Sequence, residues 1–267
     1  MRLARIGLTA LKGTRHQSHR AVQLSRRGPV GDRAFCLVDP VHRQVLKTVA
    51  HAALLGATVT WQQEVLTVQV ADQTLAGVPV RTGETVQVLY WGRRIRADIV
   101  GGPWAEAFSR FLQQPVELAW VGPGDIVYGD QVSVITTASL AGLRAASRGG
   151  AASLPLPLDV ERDGARFRST FVIDTGDGRY AEAGSEITWV GQELLLGAAR
   201  VRLTAPVVRC GVVDLHPTSG HRDLRLLEAL PRDAAGQPVF GLQGLVVRPG
   251  LVLQDVLVDL EQDGRQS

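Results

Sequence analysis

Lysine is almost missing from this chain. Lys12 and Lys47 are the only two, and every other side chain in the basic set of 29 is arginine. Arginine-rich, alanine-rich usage of this kind commonly reflects a GC-rich genome, and against that background Lys12 stands out. Cysteine is scarce as well, with Cys36 and Cys210 alone. Two thiols cannot complete a four-ligand zinc site without well-spaced histidines, and no C-x-x-C or H-x-x-x-H occurs. A four-cysteine iron–sulfur cluster is excluded on the same count. No run approaches the roughly eighteen consecutive apolar residues of a membrane-spanning helix. The opening "MRLARIGLTALKG" has too short an apolar stretch for a secretion signal. These absences predict a cytoplasmic protein that has no membrane partner and keeps its cysteines reduced. A formal charge of +3 is too small to imply a nucleic-acid partner. G-x-x-x-x-G-K-[ST], G-x-G-x-x-G after a strand, and G-x-S-x-G are all lacking, which removes the P-loop, the dinucleotide fingerprint and the hydrolase elbow.

What is present reads as short strands. "RAFCLVD" (33–39), "EVLTVQV" (64–70), "ETVQVLY" (84–90), "SVITT" (133–137), "FVID" (171–174), "ITWVG" (187–191) and "ARVRLTAPVV" (199–208) are rich in β-branched residues and bounded by turn signals. Helical periodicity is confined to 102–115, 137–148 and 221–232. Many strands with few helices predict a mainly β fold closing into barrels. A boundary is expected between an amino-terminal unit, 1–95, and a second domain, 96–263. The Gly/Ala/Pro-rich stretch 147–164 reads as a surface connector.

Free cysteine is among the most buried residue types, and Cys36, alternating with apolar neighbours in "AFCLVD", fits that pattern. Cys210 differs: it ends a strand, follows Arg209 and opens a polar loop, where a thiolate would be favoured. On these grounds a core residue and a functional thiolate remain level. Lys12 precedes a glycine in "ALKGTR", and Arg33 follows the turn "GPVGD". Arg166 and Arg168 alternate in "ARFRSTFVI", which as a strand start would point both to one side, with Ser169 and Thr170 as hydroxyl donors. Taken together with Arg209, these strand-end residues suggest an anion pocket. A Cys210–His216 dyad ranks low, because sequence neighbours in one loop rarely form one. His16 and His19 fit an exposed loop better than a metal site.

Several stretches together resemble the MOSC proteins, a family named for the carboxyl-terminal part of molybdenum-cofactor sulfurases. "ALKGTRHQSHRAVQLSRRGPVGDRAFCLVD" is similar to their amino-terminal β-barrel. "SVITTASLAGLRA", "ARFRSTFVID" and "VVRCGVVDLHPTSG" resemble, in order, stretches of the MOSC domain proper, and "WAEAFSRFLQQPVELAWV" the join between the two. The resemblance implies a molybdenum cofactor (molybdenum–molybdopterin) with Cys210 as metal ligand. Lys12, Arg33, Arg168 and Arg209 would be basic partners, and Asp130, Thr136, Ser169 and Thr170 would line the pocket. The chain departs from the family at His216, where an aspartate is usual, and at Ala10, where a proline is.

The activity so implied is that of an oxidoreductase removing oxygen from N-hydroxylated compounds. With no flavin or nicotinamide fingerprint of its own, it would draw electrons from a separate electron-transfer protein. The alternative is a non-catalytic cofactor carrier, or a sulfur-transfer protein working through a Cys210 persulfide.

Overall fold

Alternation carries most of the architecture. In strand Val80–Tyr90, Val86, Val88 and Tyr90 point inward while Thr85, Gln87 and Leu89 face out. The next strand, Arg93–Gly101, buries Ile95, Ala97 and Ile99, with exposed Arg94 and Arg96 and half-buried Asp98 alternating between them. These two join Phe35–Asp39, Gln44–Val45 and Glu117–Val121 in a closed five-stranded barrel. A parallel bridge between Leu89 and Gln44 closes the ring. The barrel is filled by Cys36, Val38, Val88, Tyr90, Ala97 and Val121, among others. Helix α1 (Trp104–Leu112) and the meander Thr58–Gln62, Val65–Val70, Gln73–Gly77 share a second core against it.

The computed structural model describes residues 1–146 and 159–261. Its second body is an eight-stranded sheet, in spatial order Val258–Glu261, Glu193–Leu196, Ala199–Val208, Val239–Arg248, Val132–Thr136, Phe171–Asp174, Arg2–Leu8 and Gln17–His19. Only the pair Val132–Thr136 and Phe171–Asp174 runs parallel. Helices α2 (Thr137–Ala146) and α3 (Val160–Phe167) lie between these two strands in sequence, as a parallel connection requires. A short α4 (Leu226–Ala229) follows the Cys210 loop. The fold is mainly β with a few helices, as the sequence predicts.

Several local expectations are corrected. Residues 160–164 of the expected connector form the start of α3, with Asp159 as its cap, and residues 147–158 lie outside the described set. Asp159 caps α3 by accepting from the Arg162 amide at 3.0 Å, and Glu161 and Asp163 occupy its first turn. "ITWVG" is a 3-10 turn over Ser185–Trp189 that buries Trp189, not a strand. A division at 95/96 would cut the barrel strand Arg93–Gly101, since Ala97 pairs with both Val86 and Val121. The first strand, Arg2–Leu8, belongs to the large sheet, paired with Phe171–Asp174.

Candidate functional site

The backbone places Lys12 and Arg33 side by side. The Lys12 amide donates to the Phe35 carbonyl at 2.8 Å, the Phe35 amide to Ala10 at 3.0 Å, and the Arg33 amide to Thr9 at 2.7 Å. This short ladder ties the exit of the first strand to the entrance of the barrel. Arg33 sits at φ 48°, a left-handed conformation that is costly for a residue carrying a Cβ. Its guanidinium pairs with buried Asp32, whose other oxygen accepts from the Thr9 amide at 3.0 Å.

Arg168 is the left-handed residue that stops α3, at φ 52°, a position where glycine is usual. The turn swings its side chain across to donate to the Thr14 carbonyl at 2.8 Å. Arg166, the last but one residue of α3, is fully buried. It donates to the Leu215 and Val213 carbonyls at 2.8 and 3.3 Å and forms a two-point pair with Asp223. The two arginines therefore do not share one face of a strand: both reach the pocket, but Arg166 is tied to the loop after Cys210, whereas Arg168 reaches across to Thr14. Arg209 directly follows strand Ala199–Val208 and is fixed by donating to the carbonyls of Phe240 (2.9 Å) and Phe167 (2.7 Å). Cys210 opens the 3-10 turn Gly211–Asp214 and is exposed, whereas Cys36 is buried in the barrel.

A cavity of about 150 Å³ is lined by Lys12, Arg33, Asp130, Thr170, Arg168, Arg209 and Cys210. It adjoins a second of about 290 Å³, which shares Lys12, Thr48, Tyr128, Arg209 and Cys210 and adds Lys47, Tyr90, Trp91 and Gln237. Arg33 Nε, one terminal nitrogen each of Arg168 and Arg209, and the Tyr90 hydroxyl are buried there without a hydrogen-bond partner among the described residues. A buried donor left unpaired costs free energy, so a cluster of four marks a place for an acceptor.

The electrostatics agree. Lys12 keeps part of its surface on the pocket but is otherwise enclosed. Burial, and then the charges of Arg33 and Arg168, push its ammonium down to about 7. Burial and Arg33 bring Arg168 down to about 9, and burial takes Arg209 to about 10. Both stay charged at neutral pH. Tyr90 is pushed up to about 12 by burial and so remains a protonated donor. Lys12 also stands 5.4 Å from the centre of the Tyr90 ring.

Two expected residues lie elsewhere. Thr136 is fully buried, accepting from the Ser139 amide at 3.1 Å and donating to Glu186 at 3.3 Å, away from both cavities. Ser169 is also fully buried, its hydroxyl donating to Ser133 and Phe171 carbonyls at 3.0 and 2.9 Å. Asp130 lines the smaller cavity but is held by the Thr204 hydroxyl. His216 lines neither cavity. Its Nδ1 lies 3.1 Å from the Thr218 hydroxyl and accepts from the Thr218 amide at 3.4 Å, the turn-holding job an aspartate would do. His16 is buried beside Arg5, not in an exposed loop. Burial and the charges of Arg5, Arg168 and Arg33 hold it neutral. Sequence reasoning missed Asp32, Tyr90, Trp91, Tyr128 and Lys47. The Asp32 signal was in "GDR", and that of Trp91 was a large aromatic in the turn "YWGR".

Among the described residues no three of His, Cys, Asp and Glu converge as a metal cage, and no helix is long and apolar enough to cross a membrane. No family model and no curated protein matches the chain. Two solved structures are similar in outline. The YuaD protein of Bacillus subtilis matches at a TM-score of 0.43 and 8% identity, over 97% of this chain and 94% of that one. A Bordetella bronchiseptica protein solved in solution matches at 0.29 and 14%, over 40% of this chain and 91% of that one. Likenesses of this size leave the site to be read from its own residues.

Proposed function

We propose that the pocket binds molybdenum cofactor and that the protein is an oxidoreductase acting on N-hydroxylated compounds. The observation that carries this is the convergence of Lys12, Arg33, Arg168 and Arg209 on an exposed Cys210, with three guanidinium nitrogens unpaired. The donor set fits the group on both sides. A cation cluster with spare N–H donors suits the phosphate of a pterin. A single thiol with no protein cage around it among the described residues suits a metal that arrives with soft sulfur ligands of its own.

When bound, the cofactor would supply two-electron oxygen-atom chemistry. The net change is an N-hydroxy compound, two electrons and two protons giving the N–H compound and water. The electrons come from a separate redox protein. The chain's own residues hold and orient: Arg33, Arg168 and Arg209 neutralise phosphate, Cys210 ties down the metal, and the Tyr90 hydroxyl offers a hydrogen bond. Lys12, poised near neutrality, can carry a proton on Nζ at the pocket wall.

The exposure of Cys210 also supports a second reading, a carrier that passes on cofactor or persulfide sulfur. The test is metal and pterin analysis of protein made in a cofactor-producing host, wild type against Cys210→Ala, followed by amidoxime reduction with an artificial electron donor. About one molybdenum per chain, lost in the variant, with turnover, supports the enzyme. Metal without turnover supports the carrier, and negligible metal in both proteins removes the cofactor altogether.

A further inference from the structure

Strands Val80–Tyr90 and Arg93–Gly101 are joined by the two residues Trp91 and Gly92, with Tyr90 paired to Arg93. Both turn residues have positive φ, 49° and 78°. This is the pattern of a type I′ hairpin turn, whose first position favours asparagine, aspartate or glycine. A tryptophan there is held in a conformation that costs a β-carbon residue free energy. Burial offsets that cost only in part, since 46% of its surface is exposed. Strain and an exposed large aromatic coincide at the rim of the cavity that contains Cys210.

The surroundings define what the ring faces. Tyr128, 50% exposed, sets its ring 5.3 Å from Trp91 at a 52° tilt. The Lys47 ammonium stands 4.3 Å from the Trp91 ring centre and makes no ion pair among the described residues. Among the described residues the cavity is lined by three basic side chains (Lys12, Lys47 and Arg209) and no carboxylate. Its volume, about 290 Å³, is near the lower end of ligand pockets.

We infer that Trp91, Tyr128 and Lys47 form the substrate wall of this pocket, and that the substrate is a planar aromatic compound bearing an anionic group. The rings offer stacking surface, Lys47 and Arg209 meet the negative charge, and the same cavity is lined by Cys210. Lys47 acts here as a point charge on a flexible stem that can move off Trp91 when an anionic ring arrives. As an assignment of substrate class this rests on the proposed reaction at Cys210, but the recognition itself needs no metal.

The test is calorimetric titration of the full chain with 2-naphthoate, decahydro-2-naphthoate of equal charge, and neutral 2-naphthamide. Naphthoate is expected to bind at least about tenfold tighter than either control. Trp91→Asn supplies the residue the turn favours, so it is expected to raise the denaturation midpoint and to weaken naphthoate by about tenfold or more. Lys47→Gln is expected to erase the preference for naphthoate over naphthamide. Equal binding of the saturated acid, or unchanged naphthoate affinity in Trp91→Asn, overturns the inference. So does loss of stability in Trp91→Asn, which would make the tryptophan a packing residue. Molybdenum content of the same wild-type preparation reports separately on the cofactor. Naphthoate binding without metal overturns the cofactor reading alone, and metal without naphthoate binding overturns the aromatic wall alone.

Discussion

Arg166 and Asp223 meet in a two-point ion pair, both N–O distances 2.8 Å, beneath the loop that carries Cys210. The guanidinium is fully buried while the carboxylate stays partly in water. Removing the carboxylate strands a buried charge that keeps only two carbonyls. Asp223→Ala is therefore expected to cost about 3 kcal/mol, read as a lowered urea midpoint at unchanged slope. A loss well under 1 kcal/mol would mean that the pair does not brace the loop.

The two cysteines should separate cleanly in reactivity. Burial pushes the Cys36 thiol up to about 12 inside the barrel, whereas Cys210 is exposed. One thiol per native chain is expected to react promptly with a disulfide reagent at pH 7.5, and none in Cys210→Ala. Two fast thiols would show that the barrel opens readily.

Lys12 gives the pocket a pH signature. Its folded value of about 7 lies below its ordinary 10.5, so between these values the unfolded chain holds a proton that the folded chain does not. By linkage, its contribution to stability rises with pH across that window. Anion binding works the other way, because a phosphate beside Nζ favours the charged form. Pyrophosphate is expected to bind the ligand-free protein more weakly as pH rises above 7, by up to about tenfold per unit, and to take up a proton at pH 8. Titration in two buffers of different ionisation enthalpy measures that uptake. Lys12→Met is expected to stabilise the empty protein at pH 6 by about 1 kcal/mol or more while losing the anion.

Gly7 marks a close approach in the first strand. A β-carbon there would come within 2.0 Å of Arg5 Nη1 and 2.3 Å of His16 Cε1. Both side chains are buried and bonded to each other, so neither has a free end to swing away. Gly7→Ala is expected to destabilise by about 1–3 kcal/mol in chemical denaturation, with a neutral result excluding that packing.

The sequence was most legible where one residue's role depends on its immediate neighbours. The strand 199–208 follows from local pattern, and the structure has it; the residues alone left Cys210 level between core and site, and the structure exposes it. The alternation in "RIRADIV" was equally visible but was broken by the boundary set at 95/96, although Ile95, Ala97 and Ile99 all point into one barrel. "ARFR" alternates like a strand, yet the Asp159 cap and the acidic first turn make it the end of a helix. The pairing of Arg2–Leu8 with Phe171–Asp174 has no local signal at all, because it depends on which distant strand offers a matching edge. Trp91 is the opposite case, a local anomaly in a tight turn whose meaning appears only once the Cys210 loop is seen beside it.

That distant pairing has a consequence for how the chain is made. Arg2 lies 172 residues before Asp174, its partner across the sheet. At about 5–20 residues per second, the first strand leaves the ribosome roughly ten to thirty seconds before the strand that will cover it. Leu3, Ile6 and Leu8, all buried in the finished sheet, must wait through that interval without their edge. The barrel can close while they wait, but the cluster around Cys210 cannot form until the carboxyl-terminal half has emerged. Synthesis thus passes through a long-lived half-molecule with an open sheet edge, the stage at which a chaperone would be most useful and aggregation most costly.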